Sequence, residues 1–454
     1  MMEPGKDTPL RQALEEINRE GRARFYMPGH KGHLPWPLTE AAPYDITEIQ
    51  GADSLFECDG PLRQLEDRMA LCYGAGASLL SAGGSTLCIQ AMLFLARRRG
   101  RTIIAARTLH RSAVAMMGLL GLDPVWVSCP AASREEEGIV GICLPPSPQS
   151  VEAALREHRD AAAVYITSPD YFGQMADIAA IAEICHRYGT LLLVDNAHGA
   201  HLNLFRAAMH PMQLGADLCA DSLHKNLPAL TGAAALHMAD PDMREEALYA
   251  MSLFGSSSPS YLIMLSADMA LEQMEGGGVE GMTRLAQWVH EQKGRAARRG
   301  YQIVRTFLCD PIRLTVGFAS MGCTARQFGE WIRLRGVEPE YIGETVGVFM
   351  PSPCNSDEEL RRLELTLEEM PLRRPSLVRP PEPYVLPRQV LSISEAMARP
   401  HVVLPLEQCQ GRVAAKLVSF CPPGMPLLVP GEEITAQAIN TLKTCGIRQV
   451  SVVK

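Results

Sequence analysis

From residue 77 to about residue 240 the chain repeats one pattern. A short apolar block runs into a turn of Gly, Ser, Pro or charged residues, and a longer stretch follows with apolar positions three and four apart. Apolar blocks precede Gly83 and occupy 102–106, 125–127, 163–166 and 191–194; helical spacing covers 63–72, 87–98, 151–158 and 177–188. Strands alternating with helices predict an α/β domain with a mostly parallel sheet and helices on both faces. The polar turns fall just after the strands and so gather along one sheet edge, where open α/β sheets bind ligands.

The flanks differ. Residues 8–24 place Leu10, Ala13, Leu14 and Ile17 on one stripe, an amphipathic N-terminal arm suited to packing on a partner subunit. Gly276-Gly277-Gly278 breaks a helix that starts near Tyr261, and 280–299 reads as a charged connecting helix. Short apolar strands around a helix at 325–335 predict a smaller α+β domain. Pro371 to Pro387 reads as a linker, and a last helix and strand end the chain. The expected divisions are 1–24, 25–279, 280–370 and 371–454. Residues 130–150, rich in Pro, Ser and Glu, read as an exposed loop.

Composition narrows the function classes. The chain has 454 residues, 47% apolar and 21% charged, enough to bury a sizeable core. Its formal net charge is −8, and the densest basic cluster, Arg97-Arg98-Arg99, sits where it favours a helix C-terminus, so nucleic acid is not an expected partner. No apolar run reaches membrane-spanning length, and the first 24 residues lack the apolar core of a signal peptide. The 13 cysteines form no CxxC pair, which reads as reduced thiols in a cytoplasmic protein rather than a disulfide framework. No metal is expected.

Two stretches carry the chemistry. Leu191-Leu192-Leu193-Val194-Asp195 puts a carboxylate at a strand end; Ser222-Leu223-His224-Lys225 puts a lysine on a polar turn about thirty residues later. A strand-end acid and a lysine are what pyridoxal phosphate needs: the amine bonds its aldehyde and the acid pairs with its protonated ring nitrogen. The plain alternative is a helix cap and a solvated lysine. Gly83-Gly84-Ser85-Thr86 at a helix start offers backbone amides and hydroxyls to a phosphate, and it lacks the spacing of a dinucleotide or nucleotide-triphosphate loop. His110 follows the second strand, where an imidazole can stack on a ring or sit on the surface. Glu48 and Asp53 can each meet a cationic substrate or cap a turn. The loop from Phe25 to His33 and the turn from Thr167 to Gly173 add polar groups.

Taken together, Phe25-Tyr26-Met27-Pro28-Gly29-His30-Lys31-Gly32, Asp45-Ile46-Thr47-Glu48, the Gly-Ser-Thr turn, Asp195-x-Ala197-His198, Ser222-x-His224-Lys225 and Pro422-Pro423-Gly424-x-Pro426 occur in one order. In this the chain resembles the bacterial ornithine/lysine/arginine decarboxylases over roughly residues 25–435, in their short form without an extra N-terminal domain. The resemblance implies the aspartate-aminotransferase-like fold (fold type I), with a smaller α+β C-terminal domain and a last domain of the decarboxylase type. It implies pyridoxal 5'-phosphate on Lys225, Asp195 at the ring nitrogen, and His110 and His198 beside the ring. Ser85, Thr86, Ser222 and His224 would bind the phosphate, and Ser257 or Ser258 would reach a neighbouring subunit's phosphate, making a homodimer with shared sites. Lys225 or His224 would return a proton after carbon dioxide leaves. The implied reaction is decarboxylation of a basic L-amino acid, arginine before lysine or ornithine. An aminotransferase or lyase on the same fold would need a carboxylate-binding arginine, for which Arg313 is the candidate; a non-catalytic homologue is the third reading. Four positions depart from the family pattern: Asn196 replaces an acid, Gly232 a glutamine, Asp170 a threonine and Arg111 a lysine.

Overall fold

The computed structural model describes residues 8–24, 27–134, 138–304, 308–371, 384–419 and 426–454. Phe25-Tyr26, most of the Pro371–Pro387 linker and Pro422 to Met425 lie outside these. In chain order the first elements are α1 (Pro9–Glu20), α2 (Pro61–Tyr73), β1 (Ala77–Ser81), α3 (Gly84–Arg99), β2 (Thr102–Ala106), α4 (Arg111–Leu120), β3 (Asp123–Val127), α5 (Pro148–Glu157), β4 (Ala163–Thr167), α6 (Ile178–Arg187), β5 (Leu191–Asp195), β6 (Leu218–Ser222), the one-turn α7 (Leu223–Asn226), and β7 (Ala234–Met238). The expected strand–helix alternation is therefore present. The chain gathers into two compact units, Met1–Leu95 with Leu193–Arg284, and Ala96–Leu192 with Leu285–Lys454.

In the first unit β5 and β6 pair in parallel, and β7 runs antiparallel to both β6 and β1. Leu192, Leu193 and Val194 are fully buried, as a strand covered on both faces requires. Within the chain α1 buries Leu10 and Leu14 against α2 and the later helix α9, whose range is Tyr261–Gln273, and leaves Ala13 and Ile17 partly exposed. The first unit also has α8 (Arg244–Phe254), whose Arg244 pairs with buried Glu66 of α2 at 2.8 Å; Glu66 in turn accepts from the Leu80 amide and so fixes β1 to α2.

In the second unit β2 pairs in parallel with both β3 and β4. Residues 138–142 are not part of the exposed loop that the composition of 130–150 suggests. Ile139 and Ile142 are buried with Phe172, Val304, Val346 and Val348. After α10 (Val279–Arg299), strands β8 (Gln302–Ile303), β9 (Leu314–Gly317), β10 (Tyr341–Ile342) and β11 (Val346–Phe349) form an antiparallel sheet ordered β10-β11-β9-β8. Helices α11 (Ala325–Leu334) and α12 (Asp357–Glu368) pack their apolar stripes on it around Leu314, Val316, Phe318 and Phe328, the α+β pattern expected. The C-terminal segment pairs strands His401–Pro405 and Gln449–Val453 over a core of its own.

Candidate functional site

The site residues of the first unit hang on the ends of β5 and β6. Asp195 closes β5 with 2% of its surface exposed and accepts from the Ala197 amide at 3.2 Å. The parallel register sets it opposite Ala220 of β6. That strand ends two residues later, and α7 carries Lys225 forward on a single helical turn. Lys225 Nζ lies 2.9 Å from His198 Nε2, a nitrogen–nitrogen contact in which one group donates and the other accepts. Ser222 Oγ donates to Ser85 Oγ at 2.9 Å, so the polar turns after β1 and β6 are joined. Ser222 is not on the polar turn that the sequence suggests: Leu218–Ser222 is a buried strand with Asp221 in its interior, and the helical turn begins at Leu223.

Ser85 and Thr86 lie within the first turn of α3, which begins at Gly84, earlier than the spacing predicted. Gly84 has φ 68° and its amide donates to the Gly232 carbonyl at 2.8 Å, while the Gly83 amide donates to Ser81 Oγ. Free amides in the first turn of a 16-residue helix, with hydroxyls beside them, make an anion cradle. Thr86 is exposed and Ser85 half-buried. His224 is half-buried. Its Nδ1 is 3.0 Å from the Ala233 carbonyl, an acceptor only, so the proton is on Nδ1 and Nε2 is the acceptor.

Other expected residues are placed differently. Asp53 accepts from the amides of Ser54 and Asp59 on one oxygen and of Gly60 and Leu62 on the other. It caps the entry to α2, the capping alternative. Glu48 is exposed, and its charge, with that of Asp53, helps burial push the Tyr261 hydroxyl above its ordinary range. Ser257 and Ser258 lie on an exposed loop before α9, with the Ser258 amide bonded to Ser256. His110 belongs to the second unit, where it caps α4: its Nδ1 accepts from the Ser112 amide at 3.2 Å. Arg313, also of that unit, is 1% exposed; it donates to the Tyr171 carbonyl at 3.0 Å and lies 3.8 Å from Asp310.

Sequence reading missed a buried polar cluster beneath β5 and β6. Asp221, fully buried, accepts from Asn196 Nδ2 at 2.6 Å and from His210 Nε2 at 2.9 Å. His237 of β7 lies 3.4 Å from Asp221, close enough for charge attraction but out of hydrogen-bond alignment, and its other nitrogen is 2.7 Å from Ser78 Oγ. Burial would push the Asp221 carboxyl up; His210 and His237 more than offset this and hold it well below the usual range. Burial also lowers His237, against the pull of Asp221. A charged residue in one apolar strand and a histidine in the next were the only signals of this cluster in the sequence.

A buried strand-end carboxylate, a lysine one helical turn beyond the next strand, and a glycine-serine anion cradle define the class: an α/β fold of the aspartate-aminotransferase type. Solved structures agree. A lysine decarboxylase from Francisella novicida superposes with a TM-score of 0.81 at 15% identity, covering 98% of this chain and 81% of the other. The constitutive lysine decarboxylase of E. coli gives 0.80 at 18% identity, covering 99% and 82%. Residues 8–305 match the family described as Orn/Lys/Arg decarboxylase, major domain, and 374–445 match its C-terminal domain. The chain belongs to this family of amino-acid decarboxylases. An arginine decarboxylase of Bacillus subtilis is 28% identical over 96% of this chain and 92% of its own length, and one from Bacillus anthracis is 27% identical over the same shares.

Proposed function

We propose that the chain decarboxylates a basic L-amino acid, arginine before lysine or ornithine, with pyridoxal 5'-phosphate as cofactor, in a cytoplasmic homodimer. The observation that carries this reading is the Lys225–His198 contact of 2.9 Å beside the strand end that bears buried Asp195. The donor set fits the cofactor: one amine for an aldehyde, one buried carboxylate for a ring N–H, and first-turn amides with Ser85 and Ser222 for a phosphate. When bound, the cofactor supplies the electron sink for the pair left as carbon dioxide departs. Everything else falls to this chain's residues. Asp195 keeps the ring nitrogen protonated. His198 holds the amine of Lys225 in place and accepts its proton. His224, with Nε2 free to accept or return a proton, and Lys225 are the groups that can reprotonate the substrate carbon. The arginine preference follows the Bacillus relatives named arginine decarboxylase.

The aminotransferase reading asks for an arginine open to a carboxylate, and Arg313 is buried against Asp310. No residue pattern favours that reading. The test is direct. Purified protein should take up pyridoxal phosphate with a yellow absorbance that Lys225→Ala abolishes, and should release carbon dioxide and the matching amine from arginine. Asp195→Ala should keep part of the cofactor and lose most turnover. A colourless wild-type protein, or formation of a keto acid in place of the amine, overturns the proposal.

A further inference from the structure

The polar cluster beneath β5 and β6 is larger than strand packing needs. Asp221, His210 and His237 are each 0% exposed, as is Asn196, and Tyr73 is 1% exposed. The register explains how they meet. Cys219 and Asp221 share one face of β6, and His237 of β7 stands across from Cys219. His210 comes in from the short helix Pro211–Leu214, which it caps. Tyr73 stacks on His237 with ring centroids 4.3 Å apart.

A metal site is the first thing such a group brings to mind, since ligand atoms of His210, Cys219 and Asp221 lie within 4.8 Å of one another. The hydrogen bonds exclude it. His210 Nδ1 accepts from the Met212 amide at 3.3 Å, so its proton is on Nε2 and is given to Asp221. A metal on Nε2 would displace that proton, break the bond to Asp221 and, with Nδ1 still accepting, leave the imidazole without a proton on either nitrogen.

What the cluster does hold is the segment that follows β5. Alternation along the strand sends the Asn196 side chain to the face opposite Asp195. There its Nδ2 donates to Asp221 at 2.6 Å, while its backbone amide makes the last bond to β6, at the Ala220 carbonyl. Four residues on, the Ala200 carbonyl accepts from Tyr73 Oη at 3.1 Å. The stretch Asp195–Ala200, which contains His198, is thus tied at both ends to one buried cluster. We propose that Asp221 is a positioning residue for this reaction: acting through Asn196, it sets the orientation of Asp195 and so the protonation and affinity of the cofactor. The proposal rests on the cofactor reading above. It also accounts for the departure at 196, because an acid there would face Asp221 with like charge.

The pair can be reversed, and this makes the test sharp. In Asp221→Asn the oxygen of the new amide must still accept from His210. Its nitrogen then meets Nδ2 of Asn196, donor against donor; turning the Asn196 amide over relieves this only by moving Nδ2 to the buried side where Oδ1 now has no partner. In Asn196→Asp two carboxylates meet. In the double variant N196D/D221N the amide at 221 accepts from His210 and donates to the carboxylate at 196, so the bond returns with its polarity inverted. Apo-protein is titrated with pyridoxal 5'-phosphate by absorbance, the pH midpoint of the visible band is measured, and apo melting temperature is recorded beside them. Each single substitution is expected to weaken cofactor binding by about tenfold or more and to move the midpoint, with the double variant back within about threefold of wild type. Independent, additive losses in the double variant overturn the proposal. So does a single variant that melts lower yet keeps the wild-type affinity and midpoint, because that is a purely structural role. If D221N does not fold, Asn196→Ser leaves the His210–Asp221 bond in place and decides the matter: weaker cofactor binding at an unchanged melting temperature supports the proposal, and unchanged binding overturns it. Wild-type protein that binds no cofactor overturns the functional reading itself, a result distinct from all of these.

Discussion

Asp53 has φ 78°, a left-handed conformation that a residue other than glycine adopts only when its surroundings insist. Four backbone amides bond its carboxylate, and Tyr261 donates to its carbonyl. Removing those acceptors with Asp53→Ala should cost about 2 kcal/mol of stability. The Michaelis constant for a basic amino acid should stay within about twofold, because the carboxylate is already committed to backbone; chemical denaturation and steady-state kinetics check both. A large rise in the Michaelis constant at unchanged stability would restore the substrate-binding role. Other single positions explain themselves the same way. Gly232 has φ 105°, a Cβ there would come within 3.3 Å of the Ala82 carbonyl oxygen, and its own carbonyl holds Gly84. Glycine at 232 thus suits the turn whose carbonyl closes on the anion cradle. The placing of Asp195, Ser222 and Lys225 at or just beyond the ends of two neighbouring strands, with His198 beside Lys225, was legible from residue type and order. Asn196 and Asp221 were not, because a hydrogen bond between residues 25 apart leaves no periodic trace.

Among elements, legibility followed hydrophobic periodicity. The strands β2, β4 and β5 were visible as short continuous apolar blocks, and the helices between them by apolar positions three and four apart. The strand β6 was hidden by Asp221, whose charge breaks an apolar block and is tolerated only because His210 and Asn196 reach it from elsewhere. Residues 139–142 were hidden by the prolines and glutamates around them. The turn after β4 holds another departure that the structure explains. Asp170 accepts from the amides of Phe172 and Gln174 on one oxygen and from Gln174 Nε2 on the other. Burial pushes its carboxyl up to about 6 against the pull of Gln174, these amides and Arg313. A raised carboxyl value means that the folded chain holds the proton more tightly than the unfolded chain. Stability from this group is therefore complete below the unfolded value and is lost as pH rises through about 6. The expected result is that wild type loses about 1–3 kcal/mol relative to Asp170→Asn between pH 4 and pH 7.5, measured by urea denaturation at each pH. Parallel curves for the two proteins would show that Asp170 titrates normally.

For the whole molecule, the question is whether one chain holds a complete site. Asp195, His198, Ser222 and Lys225 belong to a single unit of the fold, and Ser257 and Ser258 lie exposed on the surface of that same unit. Serines that serve the phosphate of a partner's site would be exposed on their own chain. The consequence can be measured by mixing two inactive proteins. In one, Lys225→Ala removes the amine; in the other, Ser257 and Ser258 are both replaced by Trp to block the surface they would present. After subunit exchange, half of the dimers are hybrids. Each hybrid has one site that combines an intact Lys225 with intact serines from the other subunit, and one site with both defects. Activity should therefore recover to about a quarter of wild type, the fraction set by a two-fold dimer with two shared sites. Exchange is verified independently by tagging one parent and recovering the untagged chain with it. No recovery after confirmed exchange would mean that each subunit completes its own site, and the serine loop would then have no part in holding the phosphate.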